Sequence, residues 1–426
     1  MPAPSPSPAT RILFFAEAVT LAHVARPVAL ARALDDRLFD VHLAHHPRYR
    51  DLLGDLAISE HEINSISPQQ FMQALAGGKP LYNVSTLSSY VEEDLRLIDT
   101  VKPDIIVGDF RLSLAVSAEL AGVPYLALSN AYWSPSCEQQ YIVPDLPITR
   151  ILGPALAQPL FSLVRPLAFA LHCLPMNKVR RRYGLSSLGY DLREVYTHGD
   201  YTLYADVPDL YRMRNLPQNH RFIGPVVWSP EFPRPDWWQS LPSGRPVVYV
   251  TLGSSGQADL LPMLIATLGS LNVTALVSTA GAPVPPSVPE NVYVAAYLPG
   301  EDAVKMASLV ICNGGSPTTH QALSQGVPVI GLPSNLDQYL NMAAIEKSGA
   351  GQCLRAGACQ RKALHSVIAS MLDDATTHEA ARRLAVRFTA NDSGIEFRKI
   401  VQQIGKYPER RSTAVQVRPQ PGGVSP

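Results

Sequence analysis

Apolar and polar positions along this chain fall into two series of short apolar runs separated by amphipathic stretches. Ile12–Ala16, ILFFA, is an unbroken apolar run, the pattern of a strand covered on both faces. The helical stretch HVARPVALARAL and the run FDVHLAHH follow it, so the chain opens as a β-α-β unit. DIIVGDF, SLAVSAELAG and VPYLALSN continue the series, and such units predict a parallel, doubly wound α/β sheet. A second series starts at PVVYVTLGSSG and runs through LLPMLIATLGSLN, VTALVSTAG, NVYVAAYLP and EDAVKMASLV to helices ending near Ile404. Between the two lies SPEFPRPDWWQSLPSGRP, whose prolines suit a linker. The pattern predicts one domain over 10–225 and another over 240–385, with a cleft between them and disordered tails at 1–9 and 406–426.

The most informative stretch is Val310–Gln338, VICNGGSPTTHQALSQGVPVIGLPSNLDQ. A short strand enters Gly314 and Gly315, which let backbone approach a ligand without a Cβ in the way. Ser316, Thr318 and Thr319 then stand where a helix begins and its free N–H groups point outward, a place suited to a diphosphate. The stretch closes on Asp337 and Gln338, an acceptor beside an amide, which can read vicinal hydroxyls or cap the following helix.

Glycine pair, hydroxyls, Gly326-Val327-Pro328 and the final acidic-Gln pair together resemble the donor-binding signature of GT-B glycosyltransferases of the UDP-glycosyltransferase and macrolide type. The resemblance implies two Rossmann-like domains facing across a cleft, with the last helix, about 390–405, crossing back onto the first domain. It also implies a hexosyl transfer enzyme whose co-substrate is a UDP- or dTDP-sugar. In that family Gly253, Ser254 and Ser255 lie beside the donor phosphates, while Tyr297 and Leu298 meet the base, Tyr297 standing where a Trp is usual. Gly300 replaces a frequent Gln. Asn313 replaces the usual His against the diphosphate and Gln321 the usual Glu on the ribose, so both positions keep hydrogen bonding without charge.

Chemistry is expected from the first half. His23, in AHVARP, is similar to the family's Gly-His motif with Ala22 in place of Gly, and an imidazole titrates near neutral pH, as a general base requires. Asp109 at the end of DIIVGD aligns with the acid that orients the base; Glu17 is a second acid near it and a candidate acceptor contact with Tyr132 and Trp133. The expectation is an inverting, metal-independent transfer to a hydroxyl of a small hydrophobic or lipid-like acceptor, with no cofactor. A silent sugar-nucleotide binder, a GT-B epimerase and a membrane-surface transferase are the alternatives.

With 426 residues, 46% of them hydrophobic, the chain can bury two cores. Its formal net charge of +0 gives nucleic acid no general electrostatic support. Cys137, Cys173, Cys312, Cys353 and Cys359 show no metal or disulfide spacing, and MPAPSPSPA lacks a signal peptide's basic and apolar blocks, so a cytoplasmic monomer or homodimer is expected. Ile151–Pro175 is the one long apolar tract, interrupted by Pro154, Pro159, Arg165 and Pro166. It reads as two buried core helices joined at a proline, with an acceptor wall or a face resting weakly on a membrane as the other reading.

Overall fold

The computed structural model describes residues 9–253 and 256–406. The first sheet holds β1 (Thr10–Ala16), β2 (Phe39–His45), β3 (Ser59–Glu62), β4 (Ile105–Asp109), β5 (Tyr125–Ser129), β6 (Tyr201–Tyr204) and β7 (His220–Phe222). Every pairing is parallel, in the order β3-β2-β1-β4-β5-β6-β7. The second sheet holds β8 (Val247–Thr251), β9 (Thr274–Ser278), β10 (Val292–Ala295), β11 (Leu309–Cys312), β12 (Val329–Gly331) and β13 (Gly351–Cys353). It too is wholly parallel, in the order β10-β9-β8-β11-β12-β13.

Helices cover both faces of each sheet, which is why the central strands read as unbroken apolar runs. Ile12 to Ala16 and Val248 to Val250 are buried throughout. Each strand order reverses once at its centre, between β1 and β4 and between β8 and β11. At such a reversal the loops leave in opposite directions and open a crevice at the carboxyl ends of the strands. His23 follows β1 and Asp109 ends β4; Gly253 follows β8 and Asn313 follows β11. These four predicted residues therefore sit at the two switch points.

The last helix, Ser393–Lys406, packs on the first domain. Phe397, Ile400, Val401 and Ile404 are buried among residues of β1 and the helix Ala22–Arg32, and the Phe397 and Phe14 rings lie 5.8 Å apart. Full burial of one such phenylalanine contributes roughly 2–3 kcal/mol. Arg398 donates to the carbonyl of Ala33 at 2.7 Å and holds the helix in register.

The apolar tract departs from the core-helix expectation. Pro147–Arg182 is a single 36-residue helical element kinked at Gly153, whose φ of 73° lies in the left-handed region. Most of its buried side chains lie at the far end: Cys173, Met176 and Val179 are buried against the helix Val84–Val101 and its neighbours, with Thr149 and Ala157 buried earlier, while Ile151, Leu156, Leu163 and Leu167 are exposed. Leucine content reads as burial, yet among the described residues no second layer of structure covers this face.

Candidate active site

A cleft of about 1060 Å³ lies between the domains, lined by residues from both switch points. On the first-domain side, β1 carries the chain to the helix Ala22–Arg32, whose first turn presents His23. His23 and Arg26, one turn apart, share a helix face. Both reach the fully buried carboxylate of Asp109. His23 Nδ1 lies 2.7 Å from Asp109 Oδ1; Arg26 donates to Oδ1 from one terminal nitrogen at 2.7 Å and to Oδ2 from Nε at 2.8 Å.

The same terminal nitrogen of Arg26 is 3.2 Å from His23 Nδ1. A guanidinium only donates and an ionised carboxylate only accepts, so the shorter contact decides the tautomer: Nδ1 carries the proton to Asp109, and Nε2 keeps its lone pair. Burial works against the charge of Arg26, but Asp109's carboxylate outweighs it and leaves the guanidinium above its usual range. The His23 ring stacks on Phe110 at 4.7 Å, and Phe110 has φ 59°, a strained value for a bulky residue. Arg111, next in the chain, is fully buried and bonded to Glu93, Asp94 and Glu17, which anchors that turn.

On the opposite wall, the helix Ser316–Ser324 starts at Gly315 with no side-chain cap. Ser316, Pro317 and Thr318 of its first turn line the cleft, and an uncapped helix start of this kind suits an anion. Gly314 has φ 82°, and a Cβ there would stand 2.6 Å from Met342 Cγ, so the turn needs glycine twice over. Asn313 Oδ1 accepts the Gly315 N–H at 3.0 Å, which fixes the turn; Gly253, with φ 60°, faces the amide nitrogen of Asn313. Tyr297 presents a partly exposed ring stacked on Phe232 at 4.7 Å, and Gly300 lies against Gln321.

The two walls are joined. Arg26 donates to Asn130 Oδ1 at 2.8 Å, and Ser316 Oγ approaches the same oxygen to 3.5 Å, so a polar path links the imidazole to the start of the signature helix. Trp133 Nε1 donates to Asp337 Oδ1 at 2.7 Å. Asp145 accepts from Arg355 at 2.7 Å and from the Gly357 N–H at 2.9 Å.

Several expected roles meet a different geometry. Glu17 is corrected: it does not line the cleft, and its fully buried carboxylate accepts from Arg111, Ser65 and Tyr90. Burial raises its pKa, with Arg111 and Ser65 opposing. Tyr132 lines the cleft but is buried, and its phenol is held far above its usual range, first by burial and then by Asp337 and Asp206, with Ser316 opposing. Trp133 borders the cleft as expected, and it also holds the sugar-reading candidate Asp337. Gln338 lines the cleft, yet its Oε1 accepts from the Ser334 N–H at 2.9 Å within an Asn335–Gln338 capping box, the helix-cap reading of that pair. Leu298 lies beside Tyr297 on the cleft wall; Ser254 and Ser255 lie outside the described residues. Arg26 and Asn130 went unpredicted, because a helical arginine and a strand-end asparagine carry no signal on their own; the three-residue spacing from His23 to Arg26 was the available clue.

Residues 263–404 match the erythromycin biosynthesis protein CIII-like C-terminal domain. The chain is 50% identical over 384 residues, 90% of each chain, to the PGL/p-HBAD biosynthesis glycosyltransferase of Mycobacterium tuberculosis (strain ATCC 25177 / H37Ra). It is 50% identical over 378 residues, 89% of this chain and 84% of the relative, to the PGL/p-HBAD biosynthesis rhamnosyltransferase of Mycobacterium bovis (strain BCG / Pasteur 1173P2). Among solved structures, spinosyn rhamnosyltransferase SpnG complexed with thymidine diphosphate aligns with TM-score 0.64 at 20% identity, over 92% of this chain and 100% of that one. Half-identity along nearly the whole length, around a cleft framed by two parallel sheets, makes this chain a glycosyltransferase of the GT-B fold and a member of the family of these PGL/p-HBAD biosynthesis enzymes.

Proposed function

We propose that the enzyme moves a hexose or deoxyhexose from a nucleoside diphosphate sugar, dTDP in preference to UDP, to a hydroxyl of an apolar, lipid-like acceptor with inversion at the anomeric carbon. The observation that carries this reading is the polar path from His23 through Asp109, Arg26 and Asn130 to Ser316, which sets a base and an anion-binding helix end on facing walls of one cleft. His23 Nε2 takes the acceptor's hydroxyl proton as that oxygen bonds the anomeric carbon; Asp109 balances the imidazolium that forms. The bond from the anomeric carbon to the phosphate oxygen breaks on the opposite face. Its electron pair leaves with the diphosphate, which the N–H groups of Ser316 and Thr318 receive.

Tyr297 supplies the base platform. Gln321, a neutral amide beside Gly300, can satisfy one sugar hydroxyl but offers no carboxylate to bridge two, which favours the deoxyribose of a thymidine nucleotide. The thymidine diphosphate of the spinosyn enzyme and the rhamnosyl name of one relative support the same choice. Asp337, steadied by Trp133, keeps its second oxygen for a hydroxyl of the transferred sugar. The acceptor lies against the apolar wall made by Phe161, Ala168 and Phe169 of the long helix.

The test is nucleoside diphosphate release from dTDP- and UDP-sugars with a panel of apolar phenols and alcohols. Acceptor-dependent release that favours dTDP and is lost in His23→Ala is expected. Release that ignores the acceptor, or survives that substitution intact, defeats the reading.

A further inference from the structure

The outer face of the long helix Pro147–Arg182 has no work in the chemistry above. Leu156, Leu160, Leu163, Leu167 and Leu171 recur at spacings of three and four and form one stripe about 22 Å long at 1.5 Å per residue. Leu156, Leu163, Leu167 and Leu171 are 67%, 78%, 63% and 50% exposed, and Ile151 before the kink is 80% exposed. So large a continuous apolar surface marks an interaction site.

Two observations choose the occupant. Between Leu146 and Tyr190 the chain has no Asp or Glu and six cations, Arg150, Arg165, Lys178, Arg180, Arg181 and Arg182, in a protein whose charges balance only when this segment is included. Arg150 stands at one end of the stripe and Lys178, Arg181 and Arg182 at the other, all four exposed, where they match an anionic surface. The stripe is also continuous with the cleft: Leu160 and Val164 are exposed and line it at once, so apolar surface runs from outside over the lip to the acceptor wall. The opposite side of the helix buries Ala157, Cys173, Met176 and Val179 in the protein, so lipid can reach one side only.

We propose that this helix lies flat on an anionic lipid bilayer, its leucines in the acyl boundary and its flanking cations among the headgroups, so that the cleft mouth opens onto the membrane. This rests on the reading of the cleft as an acceptor site and extends it from a lipid-like molecule to the bilayer that carries it. Acceptor would then pass from membrane to cleft without crossing water.

The test is co-sedimentation of the full chain with phosphatidylcholine vesicles, with and without phosphatidylglycerol, alongside the double variant Leu163→Glu/Leu167→Glu. Binding to the anionic vesicles that drops about tenfold or more in the variant is expected, together with unchanged nucleotide release on a water-soluble acceptor. Wild-type protein that stays in the supernatant with both vesicle types overturns the proposal, as does a variant that sediments as well as wild type. A concentration-dependent dimer by light scattering that the variant abolishes also overturns it, assigning the stripe to a second copy of the chain. Sedimentation needs no turnover, so failure here leaves the transfer reading standing.

Discussion

Asp109→Asn separates the two duties of one carboxylate. Oδ1 accepts from His23 and Arg26, Oδ2 from Arg26 alone, and all of this happens with no solvent exposure. An amide offers one oxygen and one donating nitrogen. If the nitrogen takes the Oδ2 place it faces the Nε–H of Arg26, donor against donor. If it takes the Oδ1 place it faces both Arg26 and His23, and it drives the imidazole proton from Nδ1 to Nε2, where no base remains. Either way Arg26 loses a bond and its buried counter-charge. Removing one partner of a buried pair costs about 3–5 kcal/mol, and the Asn130 bond that Arg26 keeps sets the expectation at the lower end. On the rate, loss of the group that fixes the tautomer is worth roughly 10⁴-fold in the serine-protease triad, and about 10²- to 10⁴-fold is expected here. Thermal unfolding gives the first quantity and initial rates of nucleotide release the second. The groups act as a unit, so Asp109→Asn in a His23→Ala background must lose little more than His23→Ala alone. A folded Asp109→Asn enzyme within about tenfold of wild-type kcat/KM, or single losses that multiply in the double variant, refutes the assignment.

Three further outcomes are expected. Tyr297→Ala removes the base platform, about 1–3 kcal/mol, so calorimetry must show dTDP binding weakened roughly 5- to 150-fold while Tyr297→Trp binds well; an unchanged Kd removes Tyr297 from the site. Gln321→Glu restores a carboxylate able to take two ribose hydroxyls, so the ratio of kcat/KM for a UDP-sugar over its dTDP counterpart must rise by about tenfold, and a static ratio contradicts the ribose reading. His198 and then Arg180 hold the carboxyl of Glu119 down to about 2 from its ordinary 4.5, so its contribution to stability is present above pH 4.5 and is lost as pH falls toward 2. The Glu119 side chain keeps 28% of its surface in solvent, so screening holds the contribution to about 1 kcal/mol or less; Glu119→Gln must lower Tm slightly at pH 7 and flatten the acid limb below 4.5, and an identical acid limb denies the linkage.

Strands buried on both faces announce themselves as apolar runs, and a glycine pair at a strand-to-helix turn announces an anion site, so the fold and the nucleotide wall were legible from residue order. The places of His23 and Asp109 at the switch point were legible for the same reason: His23 follows the strand on one side of it and Asp109 ends the strand on the other. Glu17 was misleading because closeness in sequence to His23 says nothing about direction. Its side chain turns to Arg111, 94 positions away. Gln338 shows the limit of a short motif, since the amide that could read a sugar is the residue an Asn-started helix needs for its cap. The long helix was misjudged because composition records greasiness and not what lies opposite. The run of cations without a single acid was the part of the sequence that spoke of its surroundings.

The bonds from Trp133 to Asp337 and from Asp145 to Arg355 and Gly357 clasp the halves of the enzyme directly beside the space a sugar nucleotide must enter. Were that clasp to open for each substrate and product, the cycle would carry a mechanical step set by solvent friction and by two carboxylates. A turnover limited by that opening slows when the medium is thickened with sucrose, even at saturating donor and acceptor.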